Sequence, residues 1–246
     1  MSSFWRGLIY SSVAGITTAL GTIPFLLFNR IVSQKTIDVF LGFAAGVMLA
    51  ASVFSLALPS IELGGPLRFA IGFLIGGVLV DVMDKLLPHE HFTKGHEGID
   101  VKRLKAIWLF IIAITIHNFP EGMAVGVGAF TPHALTIAIA IGLQNIPEGA
   151  AVAASLMSAK YRKSSIFFIT LFTGLVEVVG GFLGVLLVSF AENLLPYLLA
   201  LAAGAMVFVI SDEVIPETHL KGAERITTYW LLIGFVLMTM FDVLLG

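Results

Sequence analysis

Histidine, asparagine and glutamate at positions 117, 118 and 121 recur 27 residues later as glutamine, asparagine and glutamate at 144, 145 and 148. Each set lies within a hexapeptide, His117-Asn118-Phe119-Pro120-Glu121-Gly122 and Gln144-Asn145-Ile146-Pro147-Glu148-Gly149, and each hexapeptide is centred in a stretch apolar enough to cross a bilayer. In a helix, residues three and four apart share a face, so each hexapeptide presents its first side chain, its amide and its carboxylate together. Glu177 stands at the centre of a further apolar stretch. Three carboxylates, one imidazole and several amides at similar depth are unfavourable in hydrocarbon unless something positive neutralises them. A divalent cation would. Nitrogen and oxygen donors without sulfur suit Zn²⁺ first, then Fe²⁺, Mn²⁺, Co²⁺, Ni²⁺ or Cd²⁺, whereas Ca²⁺ and Mg²⁺ prefer all-oxygen shells. No organic cofactor is expected.

Pro120 and Pro147 add a second requirement for that chemistry. Each lacks an N–H and crowds the carbonyl four residues back, which frees the carbonyls of Ile116 and Leu143 and predicts a kink where the polar groups converge. Such a break is tolerated at membrane depth only inside protein or against a hydrated cavity. Gly122 and Gly149 then allow a neighbouring helix to approach closely.

The elements that must hold these groups follow from composition. Of 246 residues, 58% are hydrophobic and only 12% charged, which predicts an integral membrane protein. The net charge of −2 argues against nucleic-acid binding, and zero cysteines exclude disulfides and thiolate metal sites. Apolar runs of about 20 residues are expected as eight transmembrane helices near 4–28, 37–59, 66–87, 106–130, 133–158, 164–190, 196–215 and 226–245. The first is read as a retained helix rather than a cleaved signal. Twelve Lys and Arg fall in odd-numbered loops and two, Arg6 and Arg68, on the other side, which predicts both termini outside the cytoplasm.

The polar loop 88–105 is then cytoplasmic, and its His89, His91 and His96 are candidates for transient metal contact or mere solvated positions. Asp212, Glu213, Glu217 and His219, around Pro216, are candidate exit-path ligands. Asp81, Asp84 and Asp242 read as interfacial. Ser52 and Ser55 either line the path or bond their own backbone.

An internal repeat links the two halves. Ala44-Ala45-Gly46-Val47-Met48 matches Ala202-Ala203-Gly204-Ala205-Met206, Ile71-Gly72-Phe73 matches Ile233-Gly234-Phe235, and Gly15 and Gly21 match Gly174 and Gly180. Three spans, two spans and three spans again predict an all-α, 3+2+3 arrangement with inverted repeats, an organisation transporters use around a midplane site.

At the two hexapeptides the chain resembles the ZIP (Zrt/Irt-like) family of divalent metal transporters, most closely its GufA-type branch, and the resemblance spans almost the whole chain as a single domain. It implies zinc uptake into the cytoplasm across the plasma membrane, and a homodimer. It also implies helices one, four, five and six sliding against two, three, seven and eight. A binuclear centre is implied as well: His117, Glu121, Gln144 and Glu148 on one ion, and Asn118, Glu121, Asn145, Glu148 and Glu177 on the other. Many relatives have His at the position of Gln144 and some have Asp at that of Asn145, so this centre is less anionic and poorer in imidazole. A passive metal channel and an intramembrane metallohydrolase are the alternatives; HExxH and GxSxG signatures are absent from the sequence.

Overall fold

Long apolar runs in a bilayer satisfy their backbone groups only internally, and helices are the local solution. The computed structural model describes residues 1–28, 33–86, 89–91, 95–97, 106–218 and 224–245, with backbone alone at Phe28, Gln34, both strands, Ala106 and Glu217. It is helical but for one ribbon. In order come α1 (Ser3–Leu20), α2 (Ile23–Phe28), α3 (Gln34–Ala50), α4 (Leu58–Leu86), β1 (His89–His91), β2 (Gly95–Glu97), α5 (Ala106–Gly128), α6 (Ala134–Ser158), α7 (Lys163–Phe190), α8 (Leu195–Val209), α9 (Ile215–Thr218) and α10 (Glu224–Leu245). The strands pair antiparallel, His89 opposite Glu97 and His91 opposite Gly95, within the segment expected as a polar loop.

Among the described residues, seven stretches are long and apolar enough to cross a membrane, the longest being Lys35–Leu86 at 52 residues. That stretch is broken at Gly65, whose φ of 77° and ψ of 169° leave the helix immediately before Pro66. Glycine adopts this positive φ without strain, and the proline ring then restarts the helix from its first turn. Two π-helical segments interrupt the ladder elsewhere, Ala51–Ala57 after α3 and Ile210–Val214 after α8. They follow the two copies of the Ala-Ala-Gly repeat at corresponding places, so the repeat extends to a backbone irregularity that the residues do not reveal.

Glycines define which helices pack together. A Cβ at Gly15 would strike the Gly174 carbonyl, one at Gly122 the Glu177 backbone and one at Gly149 the Thr18 carbonyl, which knits α1, α5, α6 and α7. Likewise Gly46 lies on Leu231, Gly234 on Phe43, Gly76 on Leu201 and Gly204 on Phe73, which knits α3 to α10 and α4 to α8. Between these two groups, α6 meets α3 and α5 meets α8. Arg6 closes the first group at one end, where its Nε donates to the Ala129 carbonyl at 3.0 Å and satisfies the end of α5. Outward-facing Leu67, Leu74 and Val78 on α4, and Val236 and Val243 on α10, are exposed, as expected where the solvent is hydrocarbon.

Candidate metal centre

The prolines sit inside continuous helices, Pro120 in α5 and Pro147 in α6, and the polar residues around them are withdrawn from the surface. Asn118, Gln144, Asn145 and Glu177 are fully buried, Glu121 is 1% exposed, and Glu148 and His117 are 5% and 6% exposed. The amide donors are engaged. Gln144 Nε2 donates to Glu121 Oε1 at 2.6 Å, joining the two hexapeptides directly. Asn145 Nδ2 donates to Glu177 Oε1 at 2.6 Å and to the Ala14 carbonyl at 2.7 Å, and Asn118 Nδ2 donates to the Thr173 carbonyl at 2.8 Å.

The acceptors are not. Asn118 Oδ1, Glu121 Oε2, Gln144 Oε1, Asn145 Oδ1, Glu148 Oε2 and Glu177 Oε2 are buried with no hydrogen-bond donor among the described residues. An unmet buried acceptor costs about 1–3 kcal/mol, more when charged, so six in one cluster is a large deficit. Glu121 is within electrostatic reach of both Glu148 and Glu177, and no Lys or Arg occurs in 106–158 or 164–190 to offset them. A cation would supply what these oxygens lack. Three or more His, Cys, Asp or Glu side chains already gathered at ligating spacing are not found among the described residues, and Gln144 and Asn145 each bond one of the carboxylates. Amide hydrogen bonds hold Glu121 and Glu177.

His117 has a different partner. Its Nε2 contacts Glu213 Oε2, and these two with Glu148 line a cavity of about 20 Å³ closed by Leu41, Phe110 and Ile114, room for about one small particle. Glu213 lies in the π-helical segment Ile210–Val214, which carries an extra residue in its turn. Asp212 beside it is only partly buried. The side chains of Glu217, His89, His91 and His96, and all of His219, lie outside the described residues. Asp84, near the end of α4, is 5% exposed and so covered by protein. Ser52 bonds its own backbone at Met48, while Ser55 donates to Asp242 Oδ1 at 2.6 Å, and the same oxygen lies 3.2 Å from His133 Nδ1. His133 is inconspicuous in the sequence because its position at a helix start is common for a polar residue.

Comparison with known proteins bears on what such a centre serves. The family described as "ZIP Zinc transporter" matches residues 88–242, a span that includes both hexapeptides and Glu177. The chain is 44% identical to "Zinc transporter GufA" of Myxococcus xanthus, over 98% of this chain and 99% of that one. The chain belongs to the ZIP zinc transporter family. It is also 41% identical to "Zinc transporter ZIPB" of Bordetella bronchiseptica over 93% of this chain and 78% of that protein. Identity to "Zinc transporter ZIP11" of Homo sapiens is 33% over 94% of each. ZIP proteins are transporters rather than enzymes, and the helical, membrane-embedded body described above is consistent with that class.

Proposed function

We propose that this ZIP chain carries divalent metal, zinc foremost, across the membrane into the cytoplasm through a binuclear centre on α5, α6 and α7. The observation that carries the reading is the cluster of six buried oxygen acceptors without donors among the described residues. His117, Glu121, Gln144 and Glu148 take one ion; Asn118, Glu121, Asn145, Glu148 and Glu177 take the other, with Glu121 and Glu148 bridging. Zinc enters by exchanging the Gln144–Glu121 and Asn145–Glu177 hydrogen bonds for coordination, and the amide oxygens, weaker than thiolate or imidazole, keep release feasible. Glu213, touching His117, and Asp212 with Glu217 form the way out, and His89, His91 and His96 receive metal in the cytoplasmic loop. Fe²⁺, Mn²⁺, Co²⁺, Ni²⁺ and Cd²⁺ fit the same donors.

Counting Lys35–Leu86 as two spans on either side of Gly65 gives eight. Matching glycine contacts in the two halves support a 3+2+3 inverted repeat: Gly46 on Leu231 and Phe235 corresponds to Gly204 on Phe73. Both termini face outward at the plasma membrane, and two copies associate as a homodimer. Reconstituted vesicles test the transport mode. Uptake of zinc should saturate, and unlabelled zinc preloaded inside should accelerate entry of labelled zinc; a linear, unsaturable flux would assign the passive channel instead.

A further inference from the structure

The structure pairs the two halves residue by residue around the centre. Gly15 and Gly174, and Gly21 and Gly180, are each 159 positions apart, as the hexapeptides are 27 apart. The contacts obey the same offsets. A Cβ at Gly21 would meet Ile146 and Ala150, and one at Gly180 would meet Phe119 and Met123. Asn145 Nδ2 donates to the Ala14 carbonyl, and Asn118 Nδ2 to the carbonyl of Thr173, which is 159 positions on from Ala14. Finally, Gly122 is packed on the Glu177 carbonyl and Gly149 on the Thr18 carbonyl. Thr18 is therefore on α1 what Glu177 is on α7.

The Thr18 side chain is fully buried, and its Oγ1 has no hydrogen-bond partner among the described residues. A threonine inside a helix ordinarily bonds the carbonyl four residues back. For Thr18 that carbonyl belongs to Ala14, which already accepts from Asn145 Nδ2 at 2.7 Å and lies 2.6 Å from Thr17 Oγ1, a hydroxyl that is also 2.8 Å from the Gly142 carbonyl. The side chain is held between two glycines: its methyl lies against Gly149, next to Glu148, and its hydroxyl against Gly174, next to the Thr173 carbonyl that Asn118 binds.

We infer that Thr18 is a further member of the metal centre, a neutral oxygen donor set where the repeat would otherwise put a fourth carboxylate. This rests on the function proposed above. The physical consequence is one of charge. Four carboxylates would balance two divalent ions and hold them deeply; three carboxylates and a hydroxyl leave the loaded centre with excess positive charge, which favours release.

The test uses the purified full-length protein and zinc alone. Titration calorimetry, zinc-induced rise of the thermal midpoint and vesicle uptake are measured for wild type, Thr18→Val, Thr18→Ser and Thr18→Asp. Thr18→Val should weaken zinc binding about fivefold, the worth of one modest oxygen contact, and Thr18→Ser should restore it. Thr18→Asp should tighten binding at least about tenfold, enlarge the zinc-induced thermal shift and lower the maximal uptake rate. Wild-type affinity and uptake in Thr18→Asp overturn the inference, even where Thr18→Val fails to assemble. Absence of zinc binding in wild type overturns this inference together with the proposed function, whereas normal binding by wild type and all three variants overturns this inference alone.

Discussion

Vesicles carrying the Glu121→Ala, Glu148→Ala double variant are expected to accumulate zinc no faster than protein-free vesicles. The two glutamates come from different helices, are 1% and 5% exposed, and each contributes a carboxylate oxygen without a donor among the described residues. Removing one partner from a buried charge interaction costs about 3–5 kcal/mol, more than about a hundredfold in affinity for each site, so the pair leaves no useful binding at physiological zinc. The metal-free fold should survive, because the substitutions also remove two unmet acceptors and the mutual repulsion of like charges. Gln144 Nε2 loses its acceptor at Glu121 and provides the principal penalty. Purified double variant should therefore melt near the wild-type midpoint without zinc and show no zinc-dependent rise. Wild-type uptake by this variant would remove the glutamates from the transport path.

Gly122→Leu should fail at an earlier step. The added Cβ would collide with the carbonyl oxygen, Cα and carbonyl carbon of Glu177, none of which can rotate away. Overpacking of this kind costs about 1–3 kcal/mol where side chains can yield, and more where backbone is struck. The helices must separate, and separation moves Glu121 on α5 from Glu177 on α7, so zinc affinity falls together with stability. Gly77→Ala is the matched control: its nearest new neighbours are a Phe208 ring atom at 3.8 Å and the Gly204 carbonyl at 4.0 Å, ordinary contacts. Thermal midpoints in detergent should drop by many degrees for Gly122→Leu and stay near wild type for Gly77→Ala. Equal midpoints would mean that α5 and α7 do not meet as described.

The ligand candidates are legible in the sequence because ionisable and amide groups are conspicuous inside apolar runs, and because they occur twice. Gly64-Gly65-Pro66 likewise marks a break between spans by residue type alone, since glycine and proline are the residues that interrupt a helix. Other features depend on contacts between distant segments. The meeting of His117 with Glu213 joins α5 to the π-helical segment after α8, and nothing in Ile210–Val214 announces that extra residue. Asp84 shows its place near a helix end in the sequence, but not that the packing of α4 on its neighbours buries it. Thr18 is inconspicuous for a more specific reason: a lone threonine in an apolar helix reads as self-bonded, and only the crowding at the Ala14 carbonyl shows that it is not. The repeat is readable as matched glycines, but what each glycine touches is not.

Crystals soaked in zinc and measured at the zinc absorption edge test the metal centre most directly. The account predicts two anomalous peaks between α5, α6 and α7, both within coordination distance of Glu121 and Glu148, with the Gln144–Glu121 and Asn145–Glu177 hydrogen bonds broken. Zinc peaks confined to the surface, with those two hydrogen bonds intact in the soaked crystal, would contradict it.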